Sequence, residues 1–172
     1  GLQHRQQVST SYLPRTLACV PQLPRTLCSG VYKCGFATSQ EAYESNIGPL
    51  FDSLDRLEKI LSDGRTYLFG DKLTEADIRL YTTIIRFDCT YVGHFRTNLA
   101  TIRAGYPRLH KWMQNLYWNN PAFKETTDFD SIKAHYFQSH PQINPLRIVP
   151  KGPLPHILPL GAGPERVPEG KK

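Results

Sequence analysis

The stretch from Leu73 to Asp88, LTEADIRLYTTIIRFD, constrains the fold more than any other part of the chain. Thr74 is a favoured N-cap residue, and Asp77 three positions later can return a hydrogen bond to the Thr74 amide. Together they predict a capping box. Leu73 before the cap and Ile78 at the fourth helical position predict the hydrophobic staple that accompanies such a box. The stretch therefore predicts a helix with a sharply defined start.

The same stretch is apolar over much of its predicted helical surface. Its large apolar residues recur at helical spacing or widen the stripe: Ile78, Leu80, Tyr81, Ile84, Ile85 and Phe87. A helix with so wide an apolar stripe is expected in the middle of its domain. Loss of an N-cap costs about 0.5–2 kcal/mol. We therefore expect Leu73, Thr74, Asp77 and Ile78 to act in folding rather than in chemistry.

Helical patterns also occur on both sides of this stretch. Thr38 with Glu41 predicts a second capping box, followed by apolar residues at helical spacing to about Ser62 and a kink at Gly48-Pro49. Pro107 suits a helix start, and Asp128 or Asp130 can cap a last helix. No strand pattern is found in the sequence. The predicted fold class is all-α, a bundle of five or six helices.

The ends of the chain differ from this helical body. Residues 1–29 contain an imperfect ten-residue repeat and three prolines, which predict a disordered leader. Residues 30–149 form the predicted helical domain, which begins with an extended, glycine-bounded segment. Residues 150–172 contain six prolines and four glycines, so we expect an extended or disordered tail.

The net charge of +6 does not indicate nucleic-acid binding, because the excess lies in the ends of the chain. Residues 1–37 carry four bases and no acid (+4), and residues 147–172 carry five bases and two acids (+3). The body between them, residues 38–146, therefore carries a net charge of −1. A nucleic-acid-binding domain holds its basic patch on a folded face. We therefore expect no nucleic-acid partner.

Cysteine and histidine spacing limits the chemistry of the chain. The four cysteines form no CxxC pair, which is typical of free thiols in a reducing compartment, and we expect a cytoplasmic protein. The six histidines include no HExxH motif and no ligand spacing, so no metal is expected. No run of 18 apolar residues spans a membrane.

Three side chains remain candidates for a site. Cys34 lies a few residues before a predicted helix start, where helix amides can lower a thiol pKa, but it can equally be a small buried apolar residue. Tyr32 and Tyr136 lie beside polar neighbours, and a phenol offers a flat apolar face plus a hydroxyl. These two tyrosines suit a planar aromatic ligand, or they are packing residues.

Several longer motifs carry a family resemblance. The segments GVYKCGFATSQEAYE, YLFGDKLTEADIRLYTTIIRFD, TYVGHF and HYFQSHPQINP resemble the C-terminal half of glutathionyl-hydroquinone reductases. These enzymes are also called Xi-class glutathione transferases and are related to the omega class. The resemblance runs from about Gly30 to about Leu160. The capping-box helix is common to glutathione transferases, whereas the other motifs are more specific.

The resemblance implies a two-domain enzyme that removes glutathione from S-glutathionyl-hydroquinones. A thioredoxin-like domain would bind glutathione and supply the catalytic cysteine of a Cys-Pro-Trp motif, while the helical domain would hold the aromatic ring. By this resemblance Tyr32 and Tyr136 are substrate-binding residues, Tyr91 is a third, and a homodimer can form through the helical domain. No Cys-Pro-Trp motif occurs in this sequence. We therefore expect no catalytic residue in the chain and no activity of the chain alone.

The chain departs from the family pattern in one further place, where HFRTN replaces HFKCN and Thr97 stands for a cysteine. Little consequence is expected from this replacement. The alternative function is a non-catalytic interaction module, because helical domains of the glutathione-transferase type also occur as assembly adaptors.

Overall fold

The structure, a computed structural model, describes the backbone of residues 23–163 and their side chains from residue 26 onwards. Within this range the fold is all-α, as predicted, and no helix is long and apolar enough to cross a membrane. The helices are α1 (Leu23–Gly35), α2 (Gln40–Ile60), α3 (Glu75–Arg86), α4 (Val92–His94), α5 (Ile102–Gly105), α6 (Pro107–Asn119), α7 (Pro121–Glu125) and α8 (Phe129–Ser139). A 3-10 turn (Leu61–Asp63) follows α2, and a π-helical segment (Phe87–Tyr91) continues α3.

The prediction of an extended segment after Gly30 is wrong, because this segment belongs to helix α1. Its inner face carries Leu27, Val31 and Cys34, which are fully buried at helical spacing. Gly30 does not interrupt the helix, because it lies against Leu50 of α2, where an added Cβ would approach Leu50 Cδ1 to 3.2 Å. Residues 23–29 thus belong to a helix rather than to a disordered leader. Residues 1–22 of the predicted leader lie outside the described range.

Helix α2 begins one residue later than its sequence predicts. The Ser39 hydroxyl accepts a hydrogen bond from the Ala42 amide at 3.1 Å, so Ser39 rather than Thr38 is the N-cap. Both residue types cap well, and sequence alone does not rank two adjacent candidates. The helix continues through Pro49 to Ile60, and Gly64 ends the following 3-10 turn with a φ of 83°.

Helix α3 starts with the predicted capping box. The Asp77 carboxylate accepts hydrogen bonds from the Thr74 amide at 3.0 Å and from the Thr74 hydroxyl at 2.7 Å. The expectation that Ile78 belongs to the buried stripe is wrong, since Ile78 and Leu73 are 48% and 38% exposed. The buried residues of α3 are Asp77, Leu80, Tyr81, Thr83, Ile84 and Ile85.

The core is formed by the inner faces of α1, α2, α3 and α6, together with the π-helical segment. Residues 150–163 form no helix and run across α6, where Ile157 is buried. The side-chain amide of Gln114 holds this segment by donating to the carbonyl oxygens of Leu158 and Pro159. The last nine residues of the predicted tail lie outside the described range.

Candidate functional site

The three tyrosines singled out from the sequence lie together, although they are far apart in the chain. The Tyr32 hydroxyl lies 3.1 Å from the Tyr136 hydroxyl, and the Tyr136 hydroxyl lies 3.1 Å from that of Tyr91. Each of the three hydroxyls carries one hydrogen, and each of the two contacts between them uses one. One hydrogen is therefore left that the trio does not use internally. This trio, here called the hydroxyl chain, can therefore donate a hydrogen bond to a ligand.

Each tyrosine reaches the hydroxyl chain from a different element. Tyr32 lies in the last turns of α1, Tyr136 lies in α8, and Tyr91 ends the π-helical segment. Single π-helical turns are rare and often occur at functional sites. Here the π-helical segment also directs the Asp88 carboxylate to the amides of Ile102 and Arg103, at 2.6 and 3.0 Å, which fixes the start of α5.

The Phe95 ring fills the centre of the cluster. Its centroid lies 5.0 Å from that of Tyr32, 5.7 Å from that of Tyr91 and 5.8 Å from that of Tyr136. Gly35, at the end of α1, makes room for it: an added Cβ would lie 2.0 Å from Phe95 Cδ1. Phe36 adds a ring that is 38% exposed, with its centroid 5.7 Å from that of Phe95. The cluster thus has a flat apolar wall with an accessible edge.

Burial keeps Tyr32 and Tyr91 protonated. It raises the pKa of Tyr32, and the hydrogen bond to Tyr136 raises it further. The same two causes raise the pKa of Tyr91. Tyr91 and Tyr136 are 3% and 7% exposed, whereas Tyr32 is half-buried. A ligand therefore meets a neutral O–H donor and approaches it from the side of Tyr32.

Two histidines border the cluster, and sequence reasoning did not pair them. His94 Nε2 lies 2.9 Å from His140 Nδ1, and the two rings stack with centroids 5.2 Å apart. Burial, together with the charges of His140 and Arg96, lowers the pKa of His94 to about 4. His94 is therefore neutral near pH 7. No spacing rule joins residues 46 positions apart, so the sequence carries no signal for this pair.

Neither of the two buried cysteines, Cys34 and Cys89, forms a reactive site. Cys34 is fully buried, and burial raises the pKa of its thiol, which is the opposite of nucleophile activation. Cys89 is also buried, and its pKa is likewise raised by burial. Both therefore act as small apolar side chains.

Thr97, which stands for a cysteine in the family pattern, is buried as well. Its hydroxyl finds no hydrogen-bond partner among the described residues.

Comparisons with known proteins agree with this architecture. Residues 40–115 match the family described as glutathione S-transferase, C-terminal domain. The chain is 57% identical over 133 residues to the glutathione S-transferase omega-like 2 of Schizosaccharomyces pombe, covering 77% of this chain and 42% of that protein. It is 50% identical over 128 residues to the glutathionyl-hydroquinone reductase YqjG of Escherichia coli, covering 74% and 38%.

Solved structures show the same similarity. The Xi glutathione S-transferase of Phanerochaete chrysosporium is similar with a TM-score of 0.79 and 59% identity, over 86% of this chain and 48% of that one. The glutathione-bound structure of YqjG is similar with a TM-score of 0.75 and 42% identity, over 90% and 51%. The chain thus spans less than half the length of the curated relatives that it matches.

Proposed function

Because this chain belongs to the glutathione S-transferase family, of which it forms the C-terminal type of helical domain, we propose that it binds the aromatic substrate of a glutathionyl-hydroquinone reductase. The hydroxyl chain of Tyr32, Tyr136 and Tyr91 is the observation that carries this proposal. A hydroquinone is a flat ring with two hydroxyls, and it needs an apolar wall with adjacent hydrogen-bonding groups. The glutathionyl-hydroquinone reductase name of YqjG supports the choice of substrate.

The proposed reaction begins when a cysteine thiolate attacks the glutathione sulfur of a glutathionyl-hydroquinone. The bond between that sulfur and the ring carbon breaks, its electron pair goes to the ring carbon, and that carbon takes a proton. The enzyme is left with a mixed disulfide. The thiolate of a second glutathione then attacks this disulfide, releasing oxidised glutathione and restoring the cysteine thiolate. Glutathione is thus a co-substrate and the sole reductant.

The tyrosines hold the ring and its hydroxyls during this exchange. Because the raised pKa values keep Tyr32 and Tyr91 neutral, neither presents a negative charge to the substrate, and the one hydroxyl hydrogen that the trio does not use internally can be donated to a substrate hydroxyl. Tyr136 contacts both other hydroxyls and sets their positions. Its replacement by phenylalanine removes both contacts and keeps the ring.

The thiolate itself is proposed to come from outside residues 1–172. These residues contain no Cys-Pro-Trp motif, and the buried Cys34 has a raised rather than a lowered pKa. We also propose that the helical domain contributes to a homodimer, which light scattering on the purified chain can test. The free thiols of Cys28, Cys34 and Cys89 fit a reducing compartment such as the cytoplasm.

The proposal is tested by joining the thioredoxin-like domain of a reductase such as YqjG to the N-terminal side of this chain. We expect the chain alone to be inactive with glutathionyl-menadiol and the fusion to release menadiol. In the fusion, Y136F should lower kcat/KM about tenfold or more, since it removes the two hydrogen bonds that position the Tyr32 and Tyr91 hydroxyls, and each is worth about 0.5–1.5 kcal/mol. H135Q, at an exposed neighbour, is the matched control. Activity of the chain alone that survives C34A would contradict the proposal.

A further inference from the structure

The aromatic rings in contact with Phe95 differ in their exposure to solvent. Phe36 is 38% exposed, and Tyr32 and His140 are half-buried. The remaining rings that contact Phe95 are buried: Tyr91, His94 and Tyr136. A planar ligand therefore reaches this cluster along the face formed by Tyr32, Phe36 and His140.

Phe36 lies between the other two members of this face. The Tyr32 and Phe36 rings are nearly parallel, at 16°, with centroids 6.2 Å apart. The Phe36 and His140 rings meet edge to face, with centroids 5.2 Å apart. Within the described part of the chain, no ring contact joins Tyr32 directly to His140. A ring laid against Phe36 thus has the accessible end of the hydroxyl chain on one side and an imidazole on the other.

One nitrogen of that imidazole is available to a ligand. His140 Nδ1 is occupied, because it lies 2.9 Å from His94 Nε2. His140 Nε2 has no hydrogen-bond partner within residues 26–163. The buried side-chain polar atoms without a partner in that range are Thr97 Oγ1 and His156 Nε2. His140 Nε2 is not one of them, so it is open to solvent.

The contact with His94 leaves His140 Nε2 suited to a hydroxyl group in either neutral tautomer. If His94 Nε2 donates to Nδ1, then His140 carries its hydrogen on Nε2, which donates. If Nδ1 donates to His94, then Nε2 accepts. A hydroxyl group both donates and accepts, so it can pair with either form. The same contact fixes the direction in which the imidazole ring points.

We propose that His140 binds the second hydroxyl of a hydroquinone, while the hydroxyl chain binds the first and the aromatic ring lies against Phe36. This inference rests on the proposed function, because it concerns the same site and substrate class. It adds a specificity-determining residue: the site selects rings with two para hydroxyls over rings with one. A monophenol held by the hydroxyl chain lacks the hydrogen bond to His140 and binds more weakly.

The test compares naphthalene-1,4-diol with 1-naphthol, which share their rings and differ by one hydroxyl. Oxygen-free titration calorimetry on the 172-residue chain should show the diol binding about fivefold tighter, the ratio expected of one neutral hydrogen bond. H140F should remove this preference and leave the affinity for 1-naphthol nearly unchanged, because it keeps an aromatic ring beside Phe36. H135F is the matched control: it makes the same exchange at an exposed histidine and should keep the preference.

Thermal unfolding checks that each variant is folded, and nitrogen NMR of the wild type gives a readout that needs no variant. The His140 Nε2 resonance should shift more with the diol than with 1-naphthol. The inference is overturned by equal affinities in the wild type, by a diol preference that survives H140F, or by an Nε2 resonance that responds equally to both ligands. Equal binding of the two ligands would leave the proposed function standing, whereas binding of neither would overturn both.

Discussion

Gly35 sets how closely α1 approaches the centre of the aromatic cluster. The missing side chain leaves space for Phe95, whose Cδ1 and Cγ would lie 2.0 and 2.6 Å from an added Cβ. Phe95 is fully buried and contacts all three tyrosine rings, so it cannot turn away without disturbing them. The glycine therefore belongs to the site although it carries no chemistry.

G35A should destabilise the chain by about 1–3 kcal/mol, because overpacking a filled core forces side chains off their rotamers and shifts backbone. Urea unfolding measures this change. G93A is the matched control: Gly93 is exposed, lies in short helix α4, and an added Cβ there meets nothing within 4 Å. Equal stability of G35A and G93A would show that α1 and Phe95 are farther apart than the structure places them.

His94 makes stability depend on pH. Folded His94 has a pKa of about 4, lowered first by burial and then by the charges of His140 and Arg96, whereas an unfolded histidine titrates near 6.5. Between these values the unfolded chain binds a proton that the folded chain does not. The free energy of unfolding should therefore fall as pH decreases from about 6.5 to about 4, by roughly 1–3 kcal/mol from this residue.

H94Q should flatten this dependence, because glutamine does not titrate. Urea unfolding at several pH values between 7 and 4.5 measures the slope, and H135Q, which alters an exposed histidine, serves as the control. Parallel curves for H94Q and wild type over this range would show that His94 is not the group responsible.

At the scale of elements, α3 organises the domain through one carboxylate. Asp77 is fully buried, and besides capping α3 it accepts hydrogen bonds from the Leu68 amide at 2.8 Å and from Trp112 Nε1 at 3.1 Å. One side chain thus joins the start of α3, the loop before it and helix α6. All of these partners are hydrogen-bond donors, so both oxygens of the residue 77 side chain must act as acceptors.

D77N should destabilise the fold by about 2–4 kcal/mol, because the new amide group faces donors and leaves buried groups unsatisfied. Urea unfolding measures this, and E75Q in the same turn is the control. Glu75 is 75% exposed in its pair with Arg79, so E75Q should change stability by less than about 1 kcal/mol. If D77N were as mild as E75Q, Asp77 would be a cap and nothing more.

Local sequence patterns predicted the start of α3 well, whereas they predicted α1 poorly. Thr74 and Asp77 are three residues apart, so a capping rule finds them, but the bonds to Leu68 and Trp112 depend on how distant segments pack. In α1, Gly30 and Gly35 resemble helix breakers in the sequence. Their actual role, close approach to Leu50 and Phe95, is a tertiary property that overrides local propensity.

The site shows the same division between local and tertiary information. Residue chemistry and family resemblance pointed to Tyr32, Tyr91 and Tyr136 one by one. Their hydroxyl contacts, and the contact of His94 with His140, join residues at least 45 positions apart. Such residues come together only when the chain folds, and no spacing pattern in a single sequence predicts these contacts.

At the scale of the whole molecule, the segment after α8 completes the core around α6. Ile157 is buried, and Arg103 donates from Nη2 to the carbonyl oxygens of Pro155 and His156. Trp118 Nε1 and the Gln114 side-chain amide both donate to the Leu158 carbonyl oxygen, at 2.9 and 3.1 Å. An extended proline-rich segment has few backbone bonds of its own, so side chains from the helices must hold it.

Gln114 should be the most important of these side chains, because its amide also reaches the carbonyl oxygens of Pro159 and Ala162, at 2.7 and 3.0 Å. Q114A should lower the free energy of unfolding by about 1–3 kcal/mol, since it removes a buried donor shared by three carbonyl groups. Hydrogen exchange should rise in residues 155–162 while α3 stays protected, because the loss is local. K111A, at an exposed position of the same helix, should change neither quantity. Unchanged exchange in Q114A would mean that apolar contact at Ile157 alone holds the segment in place.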